Sequence, residues 1–263
     1  MPFTVSHIAA VLPGHRAFAR AGILSAAVIG SMVPDFGLLL PGSLARWQTH
    51  SAEALVTFCL PVGLATYWLL QRLIKPAMLQ IMPDRAYLRL RAAPPSAAHA
   101  GLRGWLYAAV AILLGATTHL IWDAFTHENA RGVRMFPVLE EYGPELDGHP
   151  LRYYHWLQHG SSVAGLILVV IALALWWRHA PRPTQPPSRA FNARERGFWG
   201  ALYVLLPLAA VAAAILHVHR WEAFRSSWTL AAIAIAGMRG CALSLLGVSL
   251  LILARLAGRA TPA

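Results

Sequence analysis

The chain has 263 residues, 57% of them hydrophobic and 13% charged, about half the charged share of an ordinary soluble domain. That deficit excludes a water-facing surface over most of the molecule. The formal charge of +11 comes from Arg residues that flank apolar runs, so it reads as an orientation signal and not as a nucleic-acid face. The expected fold is all-α: a polytopic integral membrane helical bundle of five or six transmembrane helices, surrounded by membrane lipids, with no nucleic-acid partner.

Residues 1–20 hold an apolar stretch too short to span, Phe3-Thr4-Val5-Ser6-His7-Ile8-Ala9-Ala10, followed by Pro13, Gly14, His15 and Arg16. These break the pattern before a signal-peptide core could form, so no cleaved leader is expected. A simple topology leaves His7 on the cytoplasmic side. The run 21–40 is long and apolar, but Gly30-Ser31-Met32-Val33-Pro34-Asp35 interrupts it, which makes it a broken span or a segment shielded by protein. Plain spans are expected over 52–74, 104–125, 161–177, 198–217 and 228–256, each closed by Arg, Pro or interfacial aromatic residues. Both cysteines, Cys59 and Cys241, fall inside such runs as small buried hydrophobes.

Lys and Arg number five in 75–103 and five in 178–197, against one in 41–51, three in 126–160 and two in 218–227. The positive-inside rule then makes 75–103 and 178–197 cytoplasmic and 126–160 extracytoplasmic. Three parts follow: a helical membrane core over 1–178, a polar Pro-rich cytoplasmic connector over 179–197 built around RPTQPP, and two further transmembrane helices over 198–263. The last part holds few polar groups, which places the chemistry in the first two-thirds of the chain.

Twelve histidines are present, and several fall where packing does not explain them. His119, Asp123 and His127 are spaced i, i+4, i+8 at the end of the 104–125 span, so on a helix they share one face and neighbours stand about 5–6 Å apart. Imidazole and carboxylate at that spacing suit a shared divalent ion such as zinc. His155 and His159 repeat the spacing at the head of the next span, and the hairpin between them brings both pairs to one membrane face. Asp35 and His50 complete the candidates. The plainer alternatives are interfacial histidines bonded to water or headgroups, and an Asp35 that caps a helix or pairs with an Arg. Ser161 and Ser162 follow His159, but no glycine elbow surrounds them, and serine in a first helical turn is the commoner case.

The segments MPFTVSH at the start, GSMVPDF at 30–36, THS at 49–51, LGATTHLIWDAFTH at 114–127 and YHWLQHGSS at 154–162 together resemble the bacterial membrane proteins grouped as domain of unknown function 4184, over about residues 1–178. The order of these ligand types is also similar, more distantly, to the zinc-dependent phospholipase C superfamily and to membrane-bound metal-dependent hydrolases with a Thr-His-Ser motif. That resemblance implies a multinuclear metal site with His7, Asp35, His50, His119, Asp123, His127, His155 and His159 as ligands, and Asp35 as the carboxylate that orients an attacking water. It departs at Met1-Pro2, where the soluble enzymes carry a metal-binding tryptophan, and at His159, where they carry glutamate.

The expected function is therefore a metal-dependent hydrolase of phosphoesters in a bacterial inner membrane, with zinc as cofactor and the site at the extracytoplasmic face, a setting that suggests a lipid-linked substrate. A metal-ion transporter and a non-catalytic protein whose polar clusters lock helices together are the rivals. Ligands gather at span ends and no inverted repeat is visible, which sets the transporter second.

Overall fold

The computed structural model describes residues 3–40, 44–91, 96–146, 149–181, 190–220 and 227–260. RPTQPP of the connector lies outside them, as do Met1, Pro2 and residues 92–95. The chain forms two compact units, Met1–Tyr67 with Pro94–Ala180, and Trp68–Ala93 with Pro181–Ala263.

The fold is helical. In chain order the α-helices are α1 His15–Arg20, α2 Leu24–Met32, α3 Arg46–His50, α4 Leu60–Leu69, α5 Lys75–Ile81, α6 Asp84–Arg91, α7 Gly101–Thr126, α8 Arg131–Met135, α9 Tyr153–His179, α10 Ala193–Arg220 and α11 Ser227–Ala260. Among the described residues four stretches are long and apolar enough to cross a membrane: Gly101–Thr126, Tyr153–His179, Ala193–His217 and Ala232–Arg259. The apolar windows of α9 and α10 are almost wholly unburied by protein, as helices solvated by lipid should be. The run expected over 52–74 is helical, but π turns at Leu55–Cys59 and Leu70–Ile74 alternate with α4 and α5. One departure from pure helix is a small antiparallel hairpin, β1 Tyr142–Leu146 and β2 His149–Arg152, between α8 and α9.

In the first unit α2 lies against α7 at backbone contact. A Cβ on Gly30 would sit 2.2 Å from the Ile112 carbonyl oxygen, and one on Gly115 would sit 2.3 Å from the Ala27 carbonyl oxygen. Small residues of this kind let membrane helices approach until van der Waals contact holds them, since lipid gives apolar helices no hydrophobic drive to associate. Ala26, Ala27, Ala108, Ala111, Ile112 and Ala116 of these two helices are fully buried.

The 21–40 run breaks where the sequence suggested. Pro34 lacks the N–H that would continue the α ladder, its ring crowds the carbonyl one turn back, and α2 passes at Val33 into the 3-10 helix Val33–Leu39. Asp35 is thereby buried. The N-terminal segment also folds inward, as a 3-10 helix Thr4–Gly14 that packs on α9. Phe3 N–H donates to Ser162 Oγ at 3.1 Å, and a Cβ on Gly165 would meet the Ser6 carbonyl at 2.7 Å. This corrects the simple topology for His7, which is buried within the unit. A segment this short escapes lipid by covering its irregular backbone with protein.

The second unit centres on α10 and α11. Ala77, Phe191, Val248 and Ile252 form its buried apolar cluster, and the Arg259 guanidinium pairs with Glu195 and donates to the Ala190 carbonyl at 2.7 Å. Cys59 is buried, whereas Cys241 is exposed on α11 and not enclosed as expected.

Candidate metal centre

Four backbone elements of the first unit bring ionisable side chains to one buried point: the Thr4–Gly14 3-10 helix supplies His7, the Val33–Leu39 turn Asp35, α3 His50, and α7 His119 and Asp123. Two triads result, His7–His119–Asp123 and Asp35–His50–His119, with ligand atoms inside each triad within 4.8 Å of one another. They share His119.

The distances between facing atoms fall in a narrow band. His7 Nε2 lies 3.5 Å from Asp123 Oδ1, His50 Nε2 3.4 Å from Asp35 Oδ1, and His119 Nε2 3.7 Å from Asp35 Oδ1 and 3.5 Å from Asp123 Oδ2. These contacts exceed hydrogen-bond length. Indeed His7 Nε2, His50 Nε2, His119 Nε2, Asp35 Oδ1 and Asp123 Oδ1 are all buried without a hydrogen-bond partner. Leaving so many polar atoms unpaired costs about 1–3 kcal/mol each, more when charged. A tetrahedral ion bound at about 2.0–2.2 Å sets its ligands about 3.3–3.6 Å apart, which is close to the spacing observed.

Each of these side chains except His7 is held from behind. His119 Nδ1–H donates to the Ser31 carbonyl at 2.8 Å, so its Nε2 lone pair points into the cluster. Thr4 Oγ1 donates to Asp35 Oδ2 at 2.7 Å and Arg46 Nη2 to Asp123 Oδ2 at 2.8 Å. His50 Nδ1 meets Thr49 Oγ1 at 2.7 Å. Outer-layer bonds of this type fix tautomer and ring orientation in metal sites. His7 is positioned instead by stacking on the His119 ring, with centroids 3.7 Å apart. Burial pushes the pKa of His7 down to about 4, so its imidazole is neutral at pH 7, the form that ligates metal.

His127 stands at the edge. It is the C-cap of α7 with extended backbone angles, so the shared helical face expected from its spacing ends at Asp123. Its ring still folds back: Nδ1–H donates to the Asp123 carbonyl at 3.2 Å and lies 3.6 Å from Asp123 Oδ2. Nε2 is buried and unpartnered. Burial lowers the His127 pKa to about 4 as well. His155 and His159 belong to neither triad. His155 lies against the Tyr154 ring at 4.2 Å with Nδ1 buried and unpartnered, and His159 is exposed. Ser161 and Ser162 both donate to the Gln158 carbonyl; because α9 begins at Tyr153, they lie in its third turn and not in the first turn that the sequence suggested.

Arg46, Thr4, Ser31 and Thr49 carry the site without having been singled out in the sequence. Arg46 precedes His50 by four residues and Thr4 precedes His7 by three, so helical spacing to a candidate ligand was the available signal. Chemically, His119 Nε2 has a single lone pair and serves one ion at a time. A second ion would rest on Asp35, His50 and the remaining carboxylate lone pairs.

The family model described as Domain of unknown function (DUF4184) matches residues 1–250. No curated protein and no solved structure matches the chain.

Proposed function

We propose a function for this chain, which belongs to the DUF4184 family: it is a membrane-embedded hydrolase that uses a divalent ion, zinc by preference, to cleave phosphoesters. The observation that carries this reading is the set of buried, unpartnered nitrogen and oxygen atoms that face one another at 3.4–3.7 Å in two triads sharing His119, all but His7 held by outer hydrogen bonds. A mixed imidazole and carboxylate set suits zinc, and three protein ligands with a free position is the arrangement of catalytic sites, not structural ones.

An ion held by these residues would supply a bound water of near-neutral pKa and a positive charge for the oxygens of the ester. The chain's own residues do the rest. Asp35, with Oδ2 held by Thr4 and Oδ1 free, binds metal and orients the water. His127, with Nδ1–H committed to the Asp123 carbonyl, offers Nε2 as a proton acceptor. His155 and His159 are proposed to line the approach from the 126–160 side, joining the ion only if the site is multinuclear. The four apolar helices with the helical run 54–81 make five crossings of a bacterial inner membrane. That setting favours a lipid-linked substrate.

The test is turnover. Zinc-loaded protein in detergent is given bis-p-nitrophenyl phosphate and phosphatidylcholine in mixed micelles. Hydrolysis that stops on chelation, and in His119→Ala, supports the reading. A protein that holds stoichiometric zinc yet cleaves neither ester contradicts it and favours the transporter.

A further inference from the structure

We infer that Arg46 forms an oxyanion subsite beside the metal cluster, where it recognises the phosphoryl group of the substrate; this deepens the hydrolase reading and rests on it. The plain alternative is that Arg46 merely neutralises Asp123. Two observations favour more. The first is exposure. The Arg46 side chain is 43% exposed, while His127, the most open of the cluster side chains at ion-pair distance, is 14% exposed. One guanidinium nitrogen, Nη2, is engaged on Asp123 Oδ2 at 2.8 Å, so the side chain links that buried carboxylate to an open surface. A guanidinium presents five donors in a planar fork, which leaves most of them for a ligand approaching from the open side.

The second observation is charge. Asp35 and Asp123 bring two negative charges to the site and Arg46 one positive charge, so the ligand set is net negative by one. A bound dication reverses this to net positive by one. In a buried site of low effective dielectric that sign matters, and it selects an anion over a neutral group. Carboxylic esters and amides are neutral before attack. Phosphodiesters and phosphomonoesters are anionic and carry enough free oxygens to meet an ion and a guanidinium together. Asp123 Oδ2, which Arg46 holds, lies 3.5 Å from both His50 Nε2 and His119 Nε2. The guanidinium is thus one carboxylate removed from the point where an ion would sit, near enough for one phosphoryl group to touch both.

The experiment uses full-length protein in detergent micelles as wild type, Arg46→Ala and Arg46→Lys. Zinc content is measured first and inorganic phosphate binding second, by calorimetry on the zinc-loaded forms. The inference expects Arg46→Ala, loaded at zinc concentrations that offset the about 10–100-fold weaker affinity left by loss of the Asp123 bond, to bind phosphate at least about tenfold more weakly, the loss expected for one charge-assisted contact. Arg46→Lys should fall between. Unchanged phosphate binding in a zinc-loaded Arg46→Ala overturns the inference while leaving the metal site standing. A folded Arg46→Ala that takes up no zinc even at saturating ion also overturns it, since Arg46 would then act by assembling the ligands. A wild type that takes up no zinc sinks the metal reading and the subsite with it. Repeating the titration with phosphatidic acid identifies the source of the phosphoryl group: tighter binding than inorganic phosphate, lost equally in Arg46→Ala, marks a lipid headgroup, and parity marks a soluble phosphate.

Discussion

Replacing Gly115 by alanine probes the link between helix packing and the metal cluster. The added Cβ would stand 2.3 Å from the Ala27 carbonyl oxygen and 2.7 Å from the Ser31 backbone nitrogen. Carbon meets a carbonyl oxygen comfortably only at about 3.3 Å, so α2 and α7 must part by about 1 Å at this crossing. Ser31 lies at this crossing and His119 about one turn further along α7. Their 2.8 Å hydrogen bond would stretch past bonding range, and Asp35 would withdraw from His119. Overpacking of this kind costs about 1–3 kcal/mol, and the lost bond about 1 kcal/mol more. Metal sites tolerate only about ±0.2 Å in ligand distances, so zinc affinity should fall by about 10–100-fold, as when an orienting partner is removed. The assays are thermal unfolding in detergent and competition for zinc against a chelator of known affinity. Gly247→Ala is the control, because nothing lies within 4 Å of a Cβ at Gly247. A Gly115→Ala protein with wild-type melting temperature and zinc affinity would refute the close α2–α7 contact and the dependence of the site on it.

Other outcomes follow from the same geometry. Asp35→Ala and His7→Ala proteins that still fold should each lose bound metal, read by elemental analysis, because each removes a ligand atom that has no other partner. Metal-free protein should lose thermal stability as pH falls from about 6.5 to about 4. His7 and His127 have pKa values lowered to about 4 by burial, so their stabilising contribution is complete above the ordinary value of about 6.5 and is lost as the unfolded chain takes up protons first. A melting temperature flat across that window counts against burial of these two rings. Arg85→Cys and Glu141→Cys, both at exposed positions, should label from opposite membrane faces in a Cys241→Ser background. Labelling of both from one face would mean an even number of crossings between them.

The parts of the site visible in the sequence were those that local periodicity encodes. His119 and Asp123 share a helical face because they are four residues apart in an uninterrupted apolar helix, and Asp35 announced a break because Pro34 precedes it. Contacts made across the fold had no such signature. That the 3-10 helix Thr4–Gly14 would carry His7 onto the His119 ring depends on Gly165 and Ser162 of α9, which meet Ser6 and Phe3 from 159 residues away in the chain. Arg46 looked like a lone loop cation until α3 turned it toward Asp123. Spacing alone also overreached at His127, because the sequence does not show that α7 ends at Thr126 and that the next residue is extended. The π turns at Leu55–Cys59 and Leu70–Ile74 change winding without changing composition, so an apolar run looks the same with or without them.

The most direct test of the metal centre is the metal content of the purified full-length protein after exposure to micromolar zinc and removal of free ion, compared with His119→Ala treated identically. His119 belongs to both triads and has its Nε2 unpartnered. The wild type should retain at least one equivalent of zinc per chain and folded His119→Ala essentially none. A wild type free of zinc, or a His119→Ala protein that retains it in full, would contradict the site.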